Sequence, residues 1–187
     1  LGRDRDNRLL WRFAPKRLEG EAVRDSLLQA AGMLNTQQSG PSYEDVKEIH
    51  FNAGRYYHLI EVKGPKFDRR TIYRFSPRGE RDAILDTFDC PDPSATTPTR
   101  AVTTTPLQAL SLSNNVFVWR MADGLANRVR KEAGEALLDQ VRRSWQLSLG
   151  REPDEMERSQ ASAMIAKHGL ASLCRALFNS SEFVVIE

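Results

Sequence analysis

Apolar residues along this chain keep helical spacing near its two ends and lose regular spacing between them. Leu18, Ala22, Val23, Leu27, Ala30, Ala31 and Leu34 recur at the intervals of one helical face. The spacing predicts a helix over residues 18–34, with Glu19 and Glu21 at its positive end and Gly32 near its close. Asn35–Ser42, which contains Gly40-Pro41, reads as a polar loop.

From Thr105 onward the helix boundaries are marked by cap chemistry. Thr105-Pro106-Leu107-Gln108 combines an N-cap, a proline in the first turn and a glutamine placed to close a capping box. Asn114-Asn115 ends that helix and caps the next. Val116–Ala133 then carries Val118, Ala122, Leu125, Ala126 and Val129 on one stripe, and Gly134 closes it. Glu135–Leu149 is expected to bury Leu137, Leu138, Val141, Trp145 and Leu149. Asp154 with Glu157 is a second capping box, for a helix running to His168-Gly169. The last helix, Leu170–Asn179, buries Leu170, Leu173, Cys174 and Leu177. Such short connections predict a helical bundle over residues 105–180.

Residues 43–100 are less regular. Arg55–Val62 alternates loosely as far as Gly64-Pro65 and predicts one short strand. Thr71–Phe75 is rich in β-formers and is its expected partner. Pro77, Gly79, Pro91, Pro93 and Pro98 make most of residues 76–99 a loop. A loop that long is either functional or held across the core. The expected fold class is therefore mainly α: a helical bundle with a long irregular Pro-rich segment and at most a small β-hairpin. Residues 1–187 read as one domain, with a basic arm (1–17), a helix (18–34), the irregular segment (43–100) and the bundle (105–180).

Composition narrows the class. The chain has 187 residues, 27 Lys+Arg, 25 Asp+Glu and 40% hydrophobic residues. A chain of this size buries enough surface to fold without a disulfide or a metal. The balanced charge argues against wholesale disorder, and no apolar run approaches the ~18 residues of a membrane span. The near-neutral total conceals a basic arm: Arg3, Arg5, Arg8, Arg12, Lys16 and Arg17 against Asp4 and Asp6. Leu1 is not an initiator Met, and Leu1–Asn7 lacks the apolar core of a signal peptide, so the chain reads as a piece of a larger multidomain protein. A second basic set, Arg120, Arg128, Arg130, Lys131, Arg142 and Arg143, is interleaved with acids and reads as a solvated helix face. With a net charge of +2 and no nucleic-acid-binding signature, nucleic acid is not an expected partner.

The candidate chemistry is sparse. His50, His58 and His168 lack metal-ligand spacing, so neither a metal nor a cofactor is expected. Cys90 and Cys174 form no Cys-x-x-Cys motif and read as two free, mostly buried thiols. A Cys90–Cys174 disulfide is the alternative in an exported protein. Asp86, Asp89 and Asp92 recur at every third position. Such oxygen clusters can bind Ca²⁺ or perform glycosidic acid–base work. The glycine and bidentate glutamate of a calcium loop are absent, and Asp92-Pro93-Ser94 reads as a turn. Arg69-Arg70 and Arg100 flank this loop. They can clamp a sulfate or uronate, or pair internally with the aspartates, and internal pairing is the expectation. Arg70, Tyr73, Asp86, Asp89, Asp92 and Arg100 are thus the binding candidates. No Gly-x-Ser-x-Gly or other catalytic motif nominates a catalytic residue.

Several segments carry a family resemblance. Asp6-Asn7-Arg8-Leu9-Leu10-Trp11-Arg12, Arg17-Leu18, Glu21, Arg24-Asp25 and Leu27-Leu28 open the series. Arg69-Arg70-Thr71-Ile72-Tyr73-Arg74, Asp89-Cys90-Pro91-Asp92-Pro93-Ser94 and Thr103-Thr104-Thr105-Pro106-Leu107-Gln108-Ala109-Leu110 continue it. Asn114-Asn115, Leu149-Gly150-Arg151 with Pro153, and Ala176-Leu177-Phe178-Asn179-Ser180-Ser181-Glu182-Phe183 complete it. Together they resemble a planctomycete-specific C-terminal domain of unknown function. It occurs in large proteins that often carry a planctomycete cytochrome-c-like module. The resemblance implies an extracytoplasmic or cell-surface location and a link to complex-polysaccharide handling. The expected function is a structural or interaction module of a large exported protein, with the parent protein's other domains or glycan as partners. The alternative it leaves is part of a carbohydrate-active or redox-associated enzyme, with a polar site at the Asp/Arg loop.

Overall fold

The computed structural model describes residue 4 and residues 7–186; Arg3, Arg5 and Asp6 of the basic arm lie outside the described residues. The chain is mainly α. Its helices are α1 (Gly20–Ala30), α2 (Ala83–Thr87), α3 (Pro106–Asn114), α4 (Val116–Ala133), α5 (Leu137–Ser148), α6 (Glu155–His168), α7 (Leu170–Phe178) and α8 (Ser181–Val184). Two small antiparallel pairs accompany them. β1 (Lys16–Arg17) pairs with β4 (Val185–Ile186), and β2 (Val46–Phe51) pairs with β3 (Gly54–Leu59).

Helix α4 is the axis of the core and packs against α1, α3, α5 and α7. The predicted stripe of Val118, Ala122, Leu125, Ala126 and Val129 is buried, together with Met121. Asn115 Oδ1 accepts from Phe117 N (2.8 Å) at one end of α4, and Gly134, at φ 69°, turns the chain away at the other. Helix α6 starts as its cap chemistry predicts: Asp154 Oδ1 accepts from Glu157 N, and Glu157 Oε2 accepts from Asp154 N, both at 2.8 Å.

Three expectations are corrected. Helix α1 is shorter than residues 18–34. Leu18 N donates to Val184 O in the β1–β4 region, and Gly32, at φ 70°, ends the helix early. The strand at 54–59 pairs with Val46–Phe51 and not with residues 71–75. Thr71–Tyr73 is instead a 3₁₀ turn, with Tyr73 N donating to Arg70 O, and Tyr43 bridges to Arg74. The hairpin is exposed along most of both strands, so it shows no alternating buried face. Finally, Leu137 and Leu138, at the first turn of α5, lie outward, while Val141 and Trp145 are buried.

Candidate functional site

The acidic loop follows from α2. Asp82 Oδ1 caps this helix by accepting from Ile84 N (2.9 Å) and Leu85 N (3.0 Å). Phe88 ends it, and Asp89, at φ 61°, redirects the chain. Each loop carboxylate has a partner. Arg81 donates to Asp86 Oδ1 (2.7 Å) and, through its other terminal nitrogen, to Asp92. Asp92 also accepts from Ser94 N (2.7 Å), which with the Arg81 contact holds its carboxyl below the usual range. Asp89 accepts from Thr103 N (2.8 Å) and Thr103 Oγ1 (2.9 Å).

The flanking arginines are engaged elsewhere. Arg100 bridges Glu19 (3.0 Å) and Glu21 (2.9 Å) at the start of α1. Burial pushes the Glu21 carboxyl upward, but its bonds to Arg100 and its backbone bond outweigh that and hold it below its ordinary value. Arg70 faces Asp25 at 3.6 Å. Tyr73 accepts from Ser39 N (3.0 Å), and the Arg69 guanidinium lies 4.0 Å from the centre of its ring. The loop aspartates are therefore tied by Arg81, Ser94 and Thr103, not by Arg69, Arg70 or Arg100. The six candidates divide among separate local contacts.

Cys90 and Cys174 are free thiols, and the bridge between them is not formed. Cys90 Sγ lies 3.6 Å from Glu21 Oε1, and burial together with that carboxylate raises the thiol to about 11. Burial raises Cys174, in the core, to about 12. Neither is a thiolate at neutral pH, so neither is an activated nucleophile.

The densest polar chemistry lies where the irregular segment meets the bundle. Arg24, buried on α1, donates to the carbonyls of Arg69 (3.0 Å) and Phe67 (2.9 Å) and to Thr71 Oγ1 (3.2 Å). Its neighbour Asp25 accepts from Thr71 N (2.8 Å) and Thr71 Oγ1 (2.6 Å). Arg69 donates to the carbonyls of Pro41 and Ser39, and Arg74 to Asp45 (2.7 Å). Arg120, on α4, grips the buried Asp68 with two nitrogens. Arg128 donates to the carbonyls of Gln29 and Ala30 at the end of α1. Arg120 and Arg128 therefore join elements, which corrects their reading as a solvated face. The sequence signal for this network is the Arg24-Asp25 pair and the charged run Asp68-Arg69-Arg70.

Beside the network lies a cleft of about 130 Å³, lined by Arg24, Tyr43, Asp45, Phe67, Phe117 and Arg120 among others. Tyr43 is only 2% exposed, yet its hydroxyl has no hydrogen-bond partner, and neither has Asp45 Oδ1. Burial raises the Tyr43 hydroxyl to about 12, so at neutral pH it is a proton donor. A hydroxyl donor and a carboxyl oxygen acceptor, both without protein partners, thus belong to residues that line one cleft with aromatic walls. Sequence reasoning missed both residues, because neither belongs to a motif. Among the described residues, no three or more His, Cys, Asp or Glu side chains converge in a way that could hold a metal ion. Among them too, no helix is long and apolar enough to cross a membrane.

No curated protein and no solved structure matches the chain. The model of one family matches it over residues 1–165, which takes in the acidic loop, the arginine network and the cleft. The chain belongs to that family, PSD1, proteins of unknown function (DUF1553).

Proposed function

We propose that this chain is a non-catalytic interaction module of a larger, exported planctomycete protein, and that it holds glycan in the Tyr43–Asp45 cleft. The observation that carries the reading is the pair of unpartnered buried groups there, the Tyr43 hydroxyl and Asp45 Oδ1. Sugar hydroxyls can accept from the first and donate to the second. Phe67 and Phe117 offer apolar walls of the kind that sugar C–H faces pack against. Buried polar groups of this sort cost about 1–3 kcal/mol each when unpaired, which a hydroxyl-rich ligand removes. The extracytoplasmic location and the link to polysaccharide handling rest on the resemblance of the motif series. The parent protein's other domains are the further partners in this reading. The enzyme alternative at the Asp/Arg loop has less support, because Asp86, Asp89 and Asp92 are already engaged.

A glycan array probed with the intact parent protein tests the proposal, followed by titration of any bound saccharide into Tyr43→Phe. That variant removes one hydroxyl that has no protein partner. Melting temperature should hold while affinity falls about tenfold. An array without a bound saccharide, or equal affinity in Tyr43→Phe, would overturn it.

A further inference from the structure

A second pocket lies where β1 meets β4. It has a volume of about 180 Å³ and opens between that strand pair, Phe88 and the start of α3. Phe88, Ala109, Leu112, Val184 and Val185 make its lining mostly apolar. Among the described residues, the one charged side chain at its wall is Arg17. Arg17 comes from β1, and its guanidinium lies 5.0 Å from the centre of the Phe88 ring.

Arg17 differs from the arginines that tie the fold together. Arg24, Arg81, Arg100, Arg120 and Arg151 all reach oxygen acceptors. Nη1 of Arg17 is buried with no hydrogen-bond partner, and among the described residues the side chain forms no ion pair. The Phe88 face offsets part of that cost, since an aromatic ring attracts a guanidinium, but it accepts no N–H···O bond. Burial lowers the pKa of Arg17, and Asp89 opposes the shift. A partly buried guanidinium with one nitrogen buried and unpartnered, at the edge of an apolar pocket, suits an anionic oxygen.

Volume and charge define the ligand. An apolar cavity of about 150 Å³ accepts one benzene molecule, so this pocket has room for one six-carbon ring or a chain of similar bulk. A single guanidinium suits a monoanion; a phosphate dianion would leave much of its charge desolvated and unpaired. We propose that the pocket binds a free small monocarboxylate with an apolar body of about six to eight carbons. The carboxylate bonds Arg17, and the body rests against Phe88, Leu112 and Val184. This site is separate from the Tyr43–Asp45 cleft, so its fate does not depend on the glycan reading.

Phenylacetate, its neutral isostere phenylacetamide, and acetate are titrated into the full chain, followed by calorimetry and by the Arg17 side-chain N–H resonance. Phenylacetate should bind about tenfold or more tightly than phenylacetamide, and acetate more weakly than either. Arg17→Gln should abolish the preference for the acid with at most a small drop in melting temperature, since the ring contact with Phe88 is the packing it gives up. Ala109→Trp, at an exposed position on α3, should block both aromatic ligands. Equal binding of acid and amide, no binding of the acid, acetate as strong as phenylacetate, or an acid preference that survives Arg17→Gln would each overturn the proposal.

Discussion

Asp68 is only 2% exposed and ionically paired, and its charged partner, Arg120, reaches it from a different element. A buried carboxylate paired with a partly buried guanidinium stabilises little in sum, but removing one partner strands the other. The cost of breaking such a pair is about 3–5 kcal/mol. Asp68→Ala should therefore lower the urea-derived unfolding free energy by about 3 kcal/mol. The double variant Asp68→Leu with Arg120→Met should recover much of that loss, because packed apolar groups substitute well for a buried ion pair. A loss below about 1 kcal/mol in the single variant would show that the pair does not join the segment to α4. At this scale the sequence was legible where chemistry is local. The Asp154–Glu157 box and the Asn115 cap form as predicted, because each partner lies within three residues. Asp68 and Arg120 are 52 positions apart, and no local pattern joins them.

Elements meet at distances set by their smallest residues. Gly124 on α4 faces the end of α1, and a Cβ placed there would lie 2.9 Å from Met33 Sδ and 3.1 Å from Ala31 Cβ. The Met33 side chain can move aside, but Ala31 is fixed by its own helix end. Gly124→Val should destabilise by about 1–3 kcal/mol through overpacking. Gly124→Ala should come out milder, since helix propensity returns up to about 1 kcal/mol. Thermal melts of the two variants rank them, and equal melting temperatures would show that α1 and α4 do not make this close approach. The same scale explains the misread hairpin. Its strands have no continuous buried face, and the register comes from backbone pairing of Val46–Phe51 with Gly54–Leu59 around the turn at Asn52, φ 54°. Leu137 and Leu138 keep helical spacing, but the first turn of α5 extends beyond the neighbours that cover Val141 and Trp145.

Across the whole molecule, Arg151 links the start of α6 to α8. It donates to both oxygens of Glu157 (2.8 and 2.6 Å) and to Glu182 (2.5 and 2.8 Å). Its hydrogen bonds hold the Glu157 carboxyl down to about 2, from an ordinary 4.5. A depressed carboxylate contributes stability that is present above its unfolded value and is lost as pH falls toward the folded one. Unfolding free energy should therefore decline between about pH 4.5 and pH 2, and Arg151→Ala should flatten that part of the profile. The triad is partly exposed, so solvent screening leaves a contribution of about 1 kcal/mol. A profile in Arg151→Ala identical to that of the parent chain would refute the linkage.

The sequence by itself determined the mainly α class, the caps of α4 and α6 and the buried stripe of α4. Those features arise from contacts within one or two helical turns, so periodicity and cap residues encode them directly. Only the tertiary structure decided which charges meet. Arg100 crosses 81 positions to Glu19 and Arg24 crosses 47 to Thr71, while Arg81 takes Asp86 and Asp92 of the loop that Arg69, Arg70 and Arg100 also flank. It also decided that Tyr43 and Asp45 share one cleft and that Arg17 faces another pocket. A charged side chain has many equivalent partners along an irregular segment, and packing against the bundle selects among them.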